Sequence, residues 1–595
     1  MGYTYNPKAK GQVLQRCRGR ATNLILFGLL VAVLILCQLP AFAQRAAGSI
    51  AGTVADKSGA VIPDAKVTLK NEANNSTFDG TTNGSGIFSF PTVLPGSYQV
   101  TVAAPGLQTY EMQHIIVTQG ASVGIPTITL QVATTKEQIE IVASGESAVP
   151  IDSPQASQTL NQNMITDLSI VGRDAAELMK IMPGMAMTGG LSQGMWNSYT
   201  TQINVGPIGN FASNGTAPNG AVTMTSDGAN LLDPGNQGTQ TANINQNQIA
   251  ELSVLTSAYD ASFAKGPVTL QAYGKSGSAQ FHGQAYMYAR NGVFNAIDSY
   301  DKSQGLKPIS DSYWYPGGDF GGPVLIPGSK FNRNRDKLFF YGAYEYMKQT
   351  PAGTSYQFFL PTSQMQAGNF SPAYIASLGS GFANGHSNGA VVPCINGTST
   401  GNGCGSLTNI VGGMIPQSLI DPNSAAYMKT FPAPNEDPTA NGSGSNYSYF
   451  LGPPVNRWEL RLRGDYNISD KTKLYFSWNH QHEIDQSPFY VWFWGSPSVL
   501  PYPSPQTANQ LANVYSANLV HVFTPTLTNE FVFADAIFDN PVVLTNPSAV
   551  NPANLGFNYT GFFKQPFTPM LPDLFGWTTL RPATIPNSMA RCSRA

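Results

Sequence analysis

In Arg457-Trp458-Glu459-Leu460-Arg461-Leu462-Arg463-Gly464-Asp465-Tyr466-Asn467-Ile468 the residue character alternates at every step. Trp458, Leu460, Leu462, Gly464, Tyr466 and Ile468 share one face of an extended chain, and Arg457, Glu459, Arg461, Arg463, Asp465 and Asn467 share the other. Side chains of a strand repeat every two residues, and about 9–11 residues cross a bilayer when the strand is tilted. An arginine facing lipid near the midplane costs about 2–4 kcal/mol, so only one arrangement of this stretch is tolerable, with the apolar face outward and the charges inward. Residues 472–479 continue the pattern with Leu474, Phe476 and Trp478 against Lys473, Tyr475, Ser477 and Asn479. Residues 281–290 repeat it with Phe281, Gly283, Ala285, Met287 and Ala289 against His282, Gln284, Tyr286, Tyr288 and Arg290.

Working outward, strands are expected near 281–291, 313–326, 336–349, 456–468, 473–485, 512–523 and 527–538. Their connections alternate: a long loop, a short turn at Pro327-Gly328, a very long loop over 350–455, the turn Ser469-Asp470-Lys471, a loop, and Thr524-Pro525-Thr526. Membrane barrels alternate short inner turns with long outer loops, and a soluble β-protein has no reason to do so. The last two strands alternate less well, with Asp535 on the face of Phe533 and Ile537. Only 11% of the 595 residues are charged, against about 25% in an average soluble protein, and 59 are glycine. A net charge of −2 without a basic run leaves no electrostatic footprint for nucleic acid, which is dropped as a partner.

At the N-terminus Lys8, Lys10, Arg16, Arg18 and Arg20 precede an apolar run from Leu24 to Leu36, followed by Ala41-Phe42-Ala43 before Gln44. That run is shorter than a spanning helix and ends in a small-x-small pattern, so residues 1–43 read as a signal peptide cleaved between Ala43 and Gln44. Leu36 before Cys37 argues against a lipoprotein site. Cys17 and Cys37 leave with the signal, Cys592 stands alone, and Cys394 and Cys404 are expected to close a disulfide in the long outer loop. Residues 47–133 show short strands (Gly48–Val54, Ala65–Leu69, Gly86–Phe90, Tyr98–Val102) separated by Lys57-Ser58-Gly59, Asn83-Gly84-Ser85-Gly86 and Leu94-Pro95-Gly96, the pattern of a small β-sandwich.

These residues resemble the carboxypeptidase regulatory-like domain, an Ig-like or transthyretin-like sandwich, which implies a non-catalytic periplasmic module. No His-Glu-x-x-His is present to bind catalytic zinc. Next comes Glu137-Gln138-Ile139-Glu140-Ile141-Val142-Ala143 within the segment 134–149. It resembles the TonB box of outer-membrane receptors, a strand that an energy-coupling protein captures main chain to main chain; the alternative is a last strand of the sandwich. Residues 150–278 resemble the plug domain of TonB-dependent receptors, most closely the Oar-like branch. The resemblance rests on Ile170-Val171-Gly172-Arg173, Ala176-Glu177-Leu178-Met179, Met182-Pro183-Gly184, Ile249-Ala250-Glu251-Leu252-Ser253-Val254 and Gly274-Lys275-Ser276-Gly277. Residues 173–182 read as a short amphipathic helix stopped by Pro183-Gly184, and 249–256 as a strand. Gly266–Tyr273 departs from the Gly-Gly-rich strand of that family.

The expected fold is therefore mainly β: signal peptide, β-sandwich, α/β plug domain, and an incomplete antiparallel transmembrane β-barrel over 279–595. The family's barrel has more strands than the seven read here, and the chain ends in Met589–Ala595 without an aromatic-ended strand, so a C-terminally truncated product is expected. Gly190-Leu191-Ser192-Gln193-Gly194 matches a nucleophile elbow but follows no strand. Gly274-Lys275-Ser276 lacks the first glycine of a phosphate loop, since Thr269 stands there. His480 and His482 lack a third ligand on their face and are placed at the outer membrane interface or beyond. No enzyme activity and no cofactor are expected. The resemblance implies a TonB-type energy-coupling complex, outer-membrane lipid and an unidentified extracellular ligand as partners. Transport across the outer membrane is the leading expectation. A barrel-anchored adhesion or structural protein, a non-functional fragment, or an exported hydrolase using Ser192 are the alternatives.

Overall fold

The computed structural model describes residues 47–132, 141–144, 156–168, 170, 172–187, 211–213, 222–233, 240–257, 267–297, 299–303, 311–350, 354–380, 413–440, 444–451, 454–487, 504, 506–524, 527–539 and 541–558. The chain is mainly β. It begins with β1 (Gly48–Asp56), β2 (Lys66–Asn71), β3 (Thr77–Thr81), β4 (Ile87–Val93), β5 (Gly96–Ala103), β6 (Tyr110–Val117), β7 (Ser122–Leu130) and β8 (Ile141–Ser144). One sheet runs β4-β1-β7, with β1 antiparallel to β4 and parallel to β7. The other runs β3-β2-β5-β6-β8. The alternation of Lys66–Asn71 and Gly96–Ala103 turns Val67, Leu69, Tyr98, Val100 and Val102 inward, where they meet Ile50, Phe88, Ile115 and Ile128 in one apolar core. The turn after β1 is closed by the Asp56 carboxylate, which accepts from the Ser58 and Ala60 amides at 2.8 and 2.9 Å, while Gly59 takes a φ of +86° that a side chain would resist.

The plug follows with β9 (Ala156–Asn161), β10 (Met185–Met187), β11 (Phe211–Ser213), β12 (Val222–Ser226), β13 (Ala229–Asn230), β14 (Ile249–Ser257) and β15 (Val268–Gly274). Its main sheet is ordered β13-β12-β15-β14-β9, with β12 and β15 parallel and the other pairs antiparallel. Strand β15 is central and buried along its whole length, so the departure at Gly266–Tyr273 is absorbed by an apolar strand rather than by a break. The expected helix near 173–182 is a 3-10 helix over Ala175–Ile181. Asp174 caps it by accepting from the Ala176 amide at 2.9 Å, and Gly184, with φ +81°, turns the chain just beyond Met182.

The wall comprises β16 (His282–Asn291), β17 (Ser312–Pro323), β18 (Leu338–Thr350), then the outer hairpin β19 (Thr354–Phe358) with β20 (Tyr447–Leu451), then β21 (Val455–Ser469), β22 (Thr472–Ser487), β23 (Gln506–Thr524), β24 (Leu527–Asp539) and β25 (Val542–Leu544). All pairs of the order β16-β17-β18-β21-β22-β23-β24 are antiparallel, and β25 pairs with β23. All seven expected strands are present, and Asp535 is exposed on the face of Phe533 and Ile537 as read. The β17–β18 connection, Val324–Lys337, holds the expected turn at Pro327-Gly328, where the Ser329 amide donates to the Ile326 carbonyl at 3.1 Å, but continues beyond it. The Asn332 side chain organises it, donating to the Val324 and Leu338 carbonyls at 2.9 and 2.6 Å and accepting from Asp336 and Lys337. Among the described residues the sheet is open, with β16 and β24 at its ends. Leu462, Phe476, Phe531 and Phe533 are exposed on its outer face, while Ala512, Val514, Ala534, Ala536 and Phe538 pack on the plug core.

Candidate functional site

The charges of the decisive strand point where the alternation put them, into the contact between wall and plug. Arg457, Glu459, Arg461 and Arg463 are each at most 4% exposed. Ions withdrawn from water to that degree cost several kcal/mol each unless paired, so their partners decide whether the contact holds.

The centre of the network is Asp227, at the tight turn between β12 and β13. Its φ of +49°, followed by Gly228 at +84°, reverses the chain and drives the carboxylate toward the wall. There it meets the Arg461 guanidinium directly, Arg463 at 3.6 Å, the Ser477 hydroxyl at 3.2 Å and the Gly274 amide at 2.9 Å. Its main-chain carbonyl accepts from the Ser516 hydroxyl. Burial alone would raise the Asp227 pKa, but Arg461 and then Arg463 hold it below the ordinary value, so the group is anionic in place. Arg463 donates onward to Asp465 at 2.8 Å and to the Gly274 carbonyl at 3.1 Å, and it lies between the rings of Tyr273 and Tyr475 at 4.6 and 4.2 Å.

Two further clusters tie the plug to the same wall. Arg173, in the Gly172-Arg173 step, pairs with Glu345 of β18 at 2.9 Å and lies over Tyr288 at 4.1 Å. Arg457 pairs with Glu459 at 2.8 Å and with Glu483 at 3.3 Å, while Asn245 of the plug donates to Glu459 at 2.8 Å. Gln481 and the main chain of Asn243 exchange two hydrogen bonds, at 2.8 and 2.7 Å. Nearby in the plug, burial pushes Asp174 up to about 6, and burial with the neighbouring Asp174 pushes Glu177 up to about 8.

Gly274-Lys275-Ser276-Gly277, excluded above as a phosphate cradle, serves this contact instead. A Cβ on Gly274 would overlap the Arg461 guanidinium, and one on Gly277 would strike the Phe340 main chain. Lys275 pairs with Asp319 of β17 at 3.4 Å. Sequence reasoning did not single out Asp227; its only signal is an Asp-Gly step between two apolar strands.

Of the residues singled out beforehand, Ile141, Val142 and Ala143 lie in β8, paired parallel with Tyr110, Glu111 and Met112 of β6. Glu137, Gln138, Ile139 and Glu140 lie outside the described residues, as do Cys394, Cys404, Ala43, Gln44 and Ser192. His480 and His482 face away from the plug. His480 is 4.7 Å from the Trp458 ring and 5.8 Å from Trp478, and it bonds Asn513 at 2.8 Å; His482 bonds Asn509. Among the described residues no group of His, Cys, Asp and Glu has the spacing to hold a metal.

Against known proteins, residues 274–584 match the outer membrane beta barrel domain family, and residues 49–131 match the carboxypeptidase regulatory-like domain. No curated protein matches the chain. Similar solved structures include the siderophore receptor PirA from Pseudomonas aeruginosa, at 9% identity and TM-score 0.33, over 66% of this chain and 42% of that one. The alcaligin outer membrane receptor FauA from Bordetella pertussis is similar at 10% identity and TM-score 0.34, over 67% and 41%. The outer membrane transporter YddB from Escherichia coli is similar at 9% and 0.34, over 62% and 37%. The match thus spans about two fifths of the length of each of these structures.

Proposed function

The chain belongs to the outer membrane beta barrel domain family, and from that premise we propose that it is a TonB-dependent receptor that takes up an extracellular ligand when its plug is pulled from the wall. The observation that carries this reading is the nature of the plug–wall contact. It is built from Asp227, Arg461, Arg463, Arg173 and Glu345, charges that are costly to bury and easily solvated once parted. An immobile filler would be served as well by apolar side chains. In this reading the outer loops capture the ligand and the plug closes the lumen. Force applied through Glu137–Ala143 then parts the ion pairs as one network, each guanidinium and carboxylate regaining water as it separates.

Main-chain capture demands an extended segment with an edge to offer. Among the described residues strand β8 ends its sheet, paired on one side only, which supports docking of the energy-coupling protein on the other. The test is binding of the full chain, in detergent, to the purified periplasmic domain of a TonB-type protein. Ile141→Pro removes one amide donor and is expected to abolish binding, while Ile141→Val retains it. Equal binding by the proline variant would remove the box from this mechanism.

A further inference from the structure

Beneath the sandwich lies a cavity of about 720 Å3, walled by all three parts of the chain. Asn74 and Ser97 come from the sandwich, Asn161 and Ser276 from the plug, and His282 and Lys473 from the wall. Lys473 stands one residue into β22, beside the short turn that marks the inner end of the barrel, so the cavity is on the periplasmic side.

The cations reaching this cavity are not treated alike. Lys275 has Asp319 at 3.4 Å, and Arg463 has Asp465 at 2.8 Å. Lys473 is only 5% exposed, yet among the described residues no carboxylate oxygen lies within ion-pair distance of its ammonium. Asp470 and Asp336 act on it only from beyond ion-pair distance, and its close partner is the ring of Phe78 in the sandwich, 4.9 Å from the ammonium to the centroid. A ring face recovers part of the hydration lost on burial but supplies no counter-charge. Glu251, which also lines the space, turns its carboxylate to the Gln119 amide at 3.1 Å rather than to Lys473.

We propose that this cavity is a binding site for a small hydroxyl-bearing oxyanion, with Lys473 as its counter-charge. The volume falls in the range of small-molecule sites, about 300–1,000 Å3, and suits a solute of monosaccharide size. Asn74 and Asn161, whose side-chain oxygens accept from the Ser76 and Met164 amides, retain their amide N–H groups as donors, the Ser97 hydroxyl, which donates to Glu72, retains its acceptor side, and Ser276 adds a further hydroxyl. A lysine ammonium is a point charge that takes phosphate or carboxylate oxygens without demanding a fixed fork. The site stands on the periplasmic side whether or not the chain is a transporter.

The test is calorimetric titration of the full chain in detergent with glucose 6-phosphate, gluconate, inorganic phosphate and glucose. Glucose 6-phosphate or gluconate is expected to bind saturably, whichever oxyanion is preferred, and glucose to bind not at all. Lys473→Met should weaken binding about tenfold or more, Lys473→Arg should retain it, and Lys471→Met in the neighbouring turn should leave it unchanged. Lys473→Met removes a buried cation that has no close carboxylate and keeps an apolar side chain to pack on Phe78, so its melting temperature should change little; that measurement separates lost binding from lost fold. Absence of saturable binding, equal binding by Lys473→Met, or equal loss in Lys471→Met would each overturn the proposal.

Discussion

The plug and the sandwich both rest on the same wall, but by different physics. The plug is held by buried charges: Asp227 against two arginines, Arg173 against Glu345, and Asn245 against the Glu459 that pairs with Arg457. The sandwich is held by a few dispersed contacts. On the wall side Ala279 donates to the Ala73 carbonyl at 3.0 Å, Thr92 meets Thr528 at 2.7 Å, and Lys473 lies over Phe78, while the Gln119 main-chain amide donates to Glu251 of the plug strand β14 at 3.1 Å. A charge network fails when any member is removed, because the survivor stays buried and unpaired. Scattered contacts that share no partner fail one at a time, each at about 1 kcal/mol. The plug should therefore leave in an all-or-none step under load, and the sandwich should undock in small, separately tunable increments.

Asp227→Ala is the strongest way to break that contrast. It strands Arg461 in a site that is nearly inaccessible and leaves Arg463 with Asp465 alone, and plug seating should weaken by about 3–5 kcal/mol. Hydrogen exchange of β12, β13 and β15 in the full chain would report this as lost protection, with the wall strands unaffected. Unchanged protection would mean that apolar packing of Val222, Met224 and Leu270 holds the plug and the charges are incidental. Acid provides a second handle on the same group. The Asp227 pKa lies below its ordinary value in place, so its contribution is present above pH 3.8 and disappears as pH falls through the depressed value.

Glu251 should respond to pH with the opposite sign. Burial pushes it from 4.5 up to about 7, only partly offset by the Gln119 amide. The docked form therefore holds a proton that a solvated Glu251 has released, and docking is strongest below pH 4.5 and weakens as pH rises toward 7. If undocking restores full solvation, the span is about 3 kcal/mol at most. Cross-linking between the sandwich and the plug strand β14 should decline over that window, and Glu251→Gln should flatten the profile at the low-pH level. A profile that rises with pH would show that Glu251 does not sense the sandwich.

How far the sequence reaches divides along the same line. The wall strands were legible because an arginine has no acceptable place on a lipid-facing surface, so the alternation in Arg457–Ile468 left a single orientation. The β-sandwich was legible from regularly spaced turns such as Lys57-Ser58-Gly59, which carry their conformation in their residue types. The partners of the inward charges were not legible, because Asp227 and Arg461 are joined only by the three-dimensional placement of a turn against a strand. Glycine spacing excluded a phosphate loop at Gly274 but could not say what the glycine is for. The space at Gly274 makes room for a guanidinium, which no spacing pattern shows. For Glu137–Ala143, both a docking strand and a last sandwich strand require extended backbone, so alternation alone could not separate them.

Thr92→Val tests the smallest effect. The Thr92 and Thr528 hydroxyls bond at 2.7 Å at the edge of the sandwich, and Val522 packs beside them on its core. Valine keeps the shape and removes one partner, leaving Thr528 half-buried and able to turn to water, so the loss should be about 1 kcal/mol. That shifts the ratio of docked to undocked form roughly fivefold, enough to move the pH at which cross-linking is half-lost without abolishing docking. Plug protection should not change, because the two contacts share no partner and effects at separate sites add. Lys66→Ala supplies the control. Lys66 faces Asp79 at 4.0 Å with both side chains mostly in water, and its removal should alter neither measurement. If Thr92→Val instead loosened β12 and β13, the sandwich and the plug would be one cooperative unit, and pulling on either would move both.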